Sequence, residues 1–163
     1  MKRLIATYAL LMVLSMIVVS CEHKELCYSH PHSAKVSVEF EWSQMPAAYS
    51  PGGMRVIFYP RNGGEEIVRD FVGKKGGCVE IPSGVYDVVC FNNDTQRVKY
   101  NGADGFSSIA ATTGVAQVGD VKAFRTPDYL CGGRLVAVVV EVKIGCEQTI
   151  ELPVTPMVCR YTY

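Results

Sequence analysis

The alternation of apolar and polar positions is plainest between Lys35 and Trp42. Val36, Val38, Phe40 and Trp42 fall on one side of an extended chain, and Lys35, Ser37, Glu39 and Glu41 on the other. A strict period of two predicts a strand with one buried and one wet face. Pro46, Pro51, Gly52 and Gly53 break the pattern into a loop, and Met54 to Tyr59 reads as a second strand. The turn "PRNGGEE" leads to a third over Ile67 to Val72, which "GKKGG" closes.

The stretch "GCVEIPSGVYDVVCFNND" predicts a hairpin with Ser83 and Gly84 as its loop. Pro82 then faces Val85, Ile81 faces Tyr86, Glu80 faces Asp87, and Val79 faces Val88. Val79, Ile81, Tyr86, Val88 and Cys90 share a core face, and Cys78 lies on the face opposite to Cys90. Val89 and Phe91 make the second strand apolar on both sides, which predicts a central strand covered twice. A polar, Gly/Asn-rich segment runs from Asn92 to Gly105. Phe106 to Ala111 reads as a short strand or a helical turn, and residues 112–133 carry no clear period. Leu135 to Ile144, "LVAVVVEVKI", is the strongest β-run, rich in branched residues. Thr149 to Leu152 and Met157 to Tyr163 read as two more strands. The last either closes the domain as an edge strand or leads into further chain. About seven short strands and no amphipathic helix predict an all-β fold, an antiparallel sandwich of the transthyretin-like or immunoglobulin-like kind, over residues 33–163.

The N-terminus is of another kind. Met1-Lys2-Arg3 is cationic, Leu4 to Val19 is uncharged and almost wholly apolar, and small Ser20 precedes Cys21. The apolar run is short for a membrane span and close to a signal-peptide core. Val18-Val19-Ser20-Cys21 resembles the bacterial lipoprotein signal, in which the cysteine is lipidated and becomes the new N-terminus. Residues 1–20 are thus expected to be a lipoprotein signal peptide, with lipidation at Cys21. Several acyl chains on one residue hold a protein on a membrane durably, whereas one binds reversibly. Residues 21–32 then form a lipidated, flexible tether. Its polar part, "EHKELCYSHPH", extends to at most about 36–40 Å.

Composition narrows the function. The chain has 163 residues, about one domain, and 16 basic residues balance 16 acidic ones. No cationic excess suits a nucleic acid. The seven cysteines are an odd number, and Cys21 is the natural one to set aside for lipid. Cys27, Cys78, Cys90, Cys131, Cys146 and Cys159 have no regular spacing and leave their pairing open. Cys21, His23, Cys27, His30 and His32 supply enough ligands for zinc by count. Lipidation would remove the first as a thiolate, and the others lie on a polar tether without a core to hold four ligands rigidly. No metal or cofactor is expected. The last histidine is His32, so the predicted domain has no Ser-His or Cys-His nucleophile pair. No enzyme is expected. Asn92–Asp94 and Asn101–Gly105 lack the spaced carboxylates of a calcium loop. Tyr49, Tyr59, Tyr100 and Tyr129 lie in or beside loops, where they serve packing or stack on a glycan.

"VSVEFEW", "PGGMRVIFYP", "CVEIPSGVYDVVCFNND" and "MVCRYTY", behind a lipoprotein cysteine, resemble one family. These are the fimbrial-anchor outer-membrane lipoproteins (FimB, minor-fimbria anchor type) of the fimbrillin-like superfamily, at their N-terminal domain. The resemblance implies a transthyretin-like sandwich, usually two in tandem, on the outer membrane at the cell surface. It also implies fimbrial subunits as partners, joined by β-strand addition. This chain is only about one domain long. The expected function is a non-catalytic fimbrial anchor, assembly or adhesion component. The alternative is a carbohydrate-binding lipoprotein of a glycan-uptake system.

Overall fold

The computed structural model describes residues 33–142 and 148–158. The signal segment, Cys21, Cys27, the three histidines, Cys146, Cys159 and most of the C-terminal run lie outside these residues.

Twelve strands are described: β1 (Ser33–Glu41), β2 (Gly53–Pro60), β3 (Ile67–Val72), β4 (Gly77–Pro82), β5 (Gly84–Asn92), β6 (Val98–Asn101), β7 (Ala110–Thr113), β8 (Val115–Val118), β9 (Val121–Phe124), β10 (Cys131–Val140), β11 (Gln148–Pro153) and β12 (Thr155–Pro156). Eight of them build a sandwich. One sheet has three strands in the order β11-β1-β4, and the other five in the order β12-β10-β5-β2-β3. The remaining four make two small hairpins, β6–β7 and β8–β9. The sandwich is antiparallel but for one pair: β1 and β11 run parallel from Val36↔Gln148 to Glu41↔Pro153.

The predicted alternation holds in β1, where Val36 and Val38 are fully buried and Phe40 nearly so. They meet Met54, Val56 and Phe58 of β2 across the sandwich, with Ile81, Val88, Ile150 and Leu152 around them. Burial of one such side chain stabilises by roughly 1.5–3 kcal/mol.

The hairpin expected around Ser83-Gly84 does not form. β4 pairs with β1, from Ser33↔Pro82 to Val38↔Gly77. β5 lies in the opposite sheet between β2 and β10. The chain therefore crosses between sheets at Ser83. Two causes favour the crossing. Pro82 has no N–H to close a two-residue turn with Val85, and β5 is apolar on both faces, so it gains most with a long neighbour on each side. The face assignment nevertheless holds. Ile81, Tyr86, Val88 and Cys90 are buried in one core and Val79 packs against it, but from opposing sheets. Glu80 and Asp87, expected to face each other, are separated. Asp87 instead accepts hydrogen bonds from Arg61 Nε and the Ala137 N–H.

The strongest β-run also departs from expectation. β10 begins at Cys131 and ends at Val140, with a bulge between Leu135 and Val138. Ala137 there has φ +55°, a left-handed conformation that costs a non-glycine residue about 1–2 kcal/mol. Its N–H is held by Asp87 at 2.9 Å. Val136 and Val139 are turned outward and exposed. The expected strand from Met157 is absent at Met157 and Val158, and the rest of that segment lies outside the described residues.

A second apolar cluster covers the outer face of the five-stranded sheet. Ile57, Tyr59, Val89 and Phe91 are buried there under Ile109 and the half-buried Tyr100, Ala103 and Phe106. The polar segment after Asn92 thus folds back as a cover. Phe106 lies in a turn and β7 starts at Ala110, so both halves of the strand-or-turn reading occur in succession. Tyr59 donates to the Ala103 carbonyl at 2.8 Å, and Tyr100 stacks on Phe91 at 4.0 Å. Gly102, with φ +63°, leaves no room for a Cβ, which would lie 2.4 Å from the Ser108 carbonyl oxygen.

Candidate functional site

The three-stranded sheet has a step in it. β4 leaves the ladder after Gly77, opposite Val38, whereas β1 continues to Glu41. Over Glu39–Glu41, β1 has only β11 as a neighbour. The Glu41 carbonyl accepts from Val154 N–H on the β11 side. Strand geometry then turns the backbone groups of Phe40 toward the side that β4 has left. An open cavity of about 410 Å³ lies at this step, with Val38, Phe40 and Trp42 on one wall and Lys74, Lys75 and Gly76 on the other.

The walls are fixed. Trp42 Nε1 donates to the Lys74 carbonyl at 3.2 Å, and the Lys74 ammonium lies 5.4 Å from the Trp42 ring centroid. Phe40 stands edge-on to both Trp42 and Phe71. Gly76 passes so close to β1 that a Cβ would lie 1.6 Å from the Val38 carbonyl oxygen. Only glycine allows this approach, and the "GKKGG" turn supplies it.

Beside the step, the outer edge of β4 carries backbone groups. Arg69 Nη2 of β3 donates to the Glu80 carbonyl at 3.4 Å, so Glu80 points its backbone groups away from β1. Arg69 also donates to the Val68 carbonyl at 2.9 Å.

One end of the sandwich is organised by Asn92, the only buried polar residue described. Its Nδ2 donates to Asp94 Oδ1 and to the Tyr129 carbonyl, and its Oδ1 accepts from Cys131 N–H. Asp94 Oδ2 accepts from Gly52 N–H, and Asp128 Oδ2 accepts from the N–H groups of Gln96 and Arg97. Only the Asn92–Asp94 bond is local turn chemistry; the ties to Tyr129, Cys131 and Gly52 join loops far apart in the chain. Among the described residues no group of three His, Cys, Asp or Glu side chains could hold a metal.

The four loop tyrosines divide. Tyr59 and Tyr100 belong to the second apolar cluster, where burial pushes the Tyr100 hydroxyl up to about 12. Tyr49 and Tyr129 pack together at the Asn92 end, with ring centroids 4.3 Å apart. Burial also raises the buried thiols, Cys90 to about 12, and Cys131 stays above the ordinary range despite a Tyr49 contact that lowers it. Neither thiol has the lowered pKa of a reactive cysteine. Cys78 is exposed on β4, as its predicted separation from Cys90 requires.

The step and the Asn92 network were not legible in advance. Lys74 to Gly77 read as a plain turn, with no sign of the close approach of Gly76 to β1.

Comparison with known proteins supplies a context for these edges. The family model described as "Domain of unknown function (DUF5119)" matches residues 20–163. A Bacteroides ovatus protein named "Putative fimbrium anchoring subunit Fim4B" is 31% identical over 129 residues, which are 76% of this chain and 38% of the relative. A crystal structure of a "putative adhesin" from Bacteroides ovatus matches with a TM-score of 0.67 and 25% identity, over 77% of this chain and 45% of that one. The chain spans less than half the length of either protein.

Proposed function

The chain belongs to the DUF5119 family, and from that premise we propose that it is a non-catalytic fimbrial anchor, assembly or adhesion component at the cell surface. Lipid on Cys21 holds it to the outer membrane, residues 21–32 tether the sandwich, and fimbrial subunits dock by strand addition. The names of its relatives, a fimbrium anchoring subunit and an adhesin, support this reading. The observation that carries it is the incomplete three-stranded sheet, with its step at Phe40 and the outward backbone groups of β4 beside it. An added strand gains main-chain hydrogen bonds there, and its alternate side chains can enter the cavity beside Trp42.

The experiment is Glu80→Pro. Proline removes an outward N–H and leaves the β1–β4 ladder its inward ones. The variant should keep its circular dichroism spectrum and lose co-purification with fimbrial subunits from the cell surface. Undiminished co-purification would sink docking at this edge. The anchor is tested separately: radiolabelled fatty acid should enter the wild type and not Cys21→Ala, and equal labelling of both would remove the lipid from the proposal.

A further inference from the structure

Three loops meet at the Asn92 end of the sandwich: the β1–β2 loop, the β5–β6 loop and the segment before β10. Between them lies a cavity of about 270 Å³, lined by Tyr49, Asp94, Thr95, Gln96, Asp128 and Tyr129. Loops on a rigid sandwich are where binding residues concentrate, and these are held by several independent ties. The Asn92 amide holds Tyr129 and Asp94, Asp94 holds Gly52, and Asp128 holds Gln96 and Arg97. The Cys131 thiol contacts the Tyr49 hydroxyl at 3.8 Å, a further weak tie at this end.

We infer that this cavity binds one uncharged sugar residue. Its walls combine an aromatic pair with groups that both donate and accept. Tyr49 and Tyr129 offer the apolar surface on which the C–H face of a sugar ring packs. The Gln96 amide donates and accepts, as sugar hydroxyls do, and the Thr95 hydroxyl, already bonded to Tyr100, keeps acceptor capacity. Asp128 holds its loop through Oδ2, which leaves Oδ1 as an acceptor for hydroxyls. The ligand's charge follows from the same groups. Two aspartates and no lysine or arginine line the cavity, so a uronic or sialic acid is repelled. A basic side chain can only donate, whereas a sugar hydroxyl can both donate to the Asp128 carboxylate and accept from the Gln96 amide. Moreover, four N–H groups already compensate the two carboxylates, which makes them acceptors more than a cation trap. The volume lies just below the range for drug-sized ligands, about 300–1,000 Å³, and admits one ring.

The test is titration of the detergent-solubilised full chain with hexoses, 6-deoxyhexoses, N-acetylhexosamines, glucuronate and arginine, followed by amide NMR shifts and calorimetry. At least one neutral sugar should shift the amides of Thr95, Gln96 and Tyr129, and glucuronate should not. Tyr129→Ala should weaken that binding at least tenfold, and Gln96→Ala, at an exposed position that leaves the backbone ties in place, at least threefold. Unshifted amides with every neutral sugar would overturn the inference, as would binding of arginine or glucuronate in preference. The site lies apart from the β4 edge, so its failure leaves subunit docking standing, and loss of docking in Glu80→Pro leaves sugar binding unchanged.

Discussion

The β3 edge and the β4 step lie on the same flank of the sandwich but treat solvent in opposite ways. β3 is blunted. Arg69 takes an alternate position on the core side of the strand and turns its guanidinium back onto the Val68 and Glu80 carbonyls. Inward-pointing charges are a known means of preventing edge pairing. Asp70 on the outer face is tied to Arg55 by two 2.8 Å hydrogen bonds. Arg69 covers the β4 edge at Glu80 as well, whereas the step beyond Gly77 has lysines at its wall instead. Phe40 and Trp42 form one of its walls, and its cations, Lys74 and Lys75, stand on the other. The contrast supports the step as the place for the strand docking proposed above.

Four changes would break or sharpen the contrast. The largest effect is expected for Phe40→Ala, which removes the ring shared by the step and the core. It should cost about 3–5 kcal/mol in urea unfolding, whereas Val68→Ala on the β3 edge should stay within about 0.5 kcal/mol. Equal losses at the two positions would erase the distinction. Gly76→Ala comes next. The new methyl must displace β1 at Val38, at about 1–3 kcal/mol, with the same denaturation as the check. Arg69→Ala should hardly alter stability but should raise self-association in sedimentation velocity, since it uncovers the blunted edge. An unchanged monomer fraction would deny Arg69 its guarding role.

The smallest effect concerns pH. The Arg55 hydrogen bonds hold the Asp70 carboxyl below the usual aspartate range. A lowered folded-state value means that the pair stabilises above the ordinary aspartate pKa, and that this contribution disappears as pH falls through the folded value. Both side chains are substantially exposed, so screening leaves at most about 0–1 kcal/mol. The wild type should lose that increment on acidification, and Arg55→Ala should lack it at every pH.

How far the sequence led depends on the range of the interaction. β1, β2, β3 and β11 lie where alternation and breakers put them, because each signal is local. The face of the Val79–Cys90 segment was also legible, because side-chain parity survives whatever the partner. The partner itself was not. Whether β5 pairs with β4 or with β2 and β10 is decided by distant residues, from Pro60 opposite Tyr86 to Val140 opposite Gly84. The run of valines in β10 misled for a related reason. Composition gives strand preference but cannot show that a bulge at Ala137 turns Val136 and Val139 outward. At the candidate sites, Gly76 and Asn92 act through distant contacts with Val38 and Tyr129, and no spacing rule announces either.

The single parallel pair has a mechanical consequence. β1 and β11 share six rungs, from Val36↔Gln148 to Glu41↔Pro153. A pull applied ahead of Ser33 and resisted beyond Pro153 runs along both strands in opposite senses. It loads all six rungs at once. In an antiparallel hairpin pulled from its two ends, the rungs would open one after another, each under the full force. The sandwich should therefore hold as a stiff link under tension along its length, and yield far sooner when the same force peels β4 from its edge.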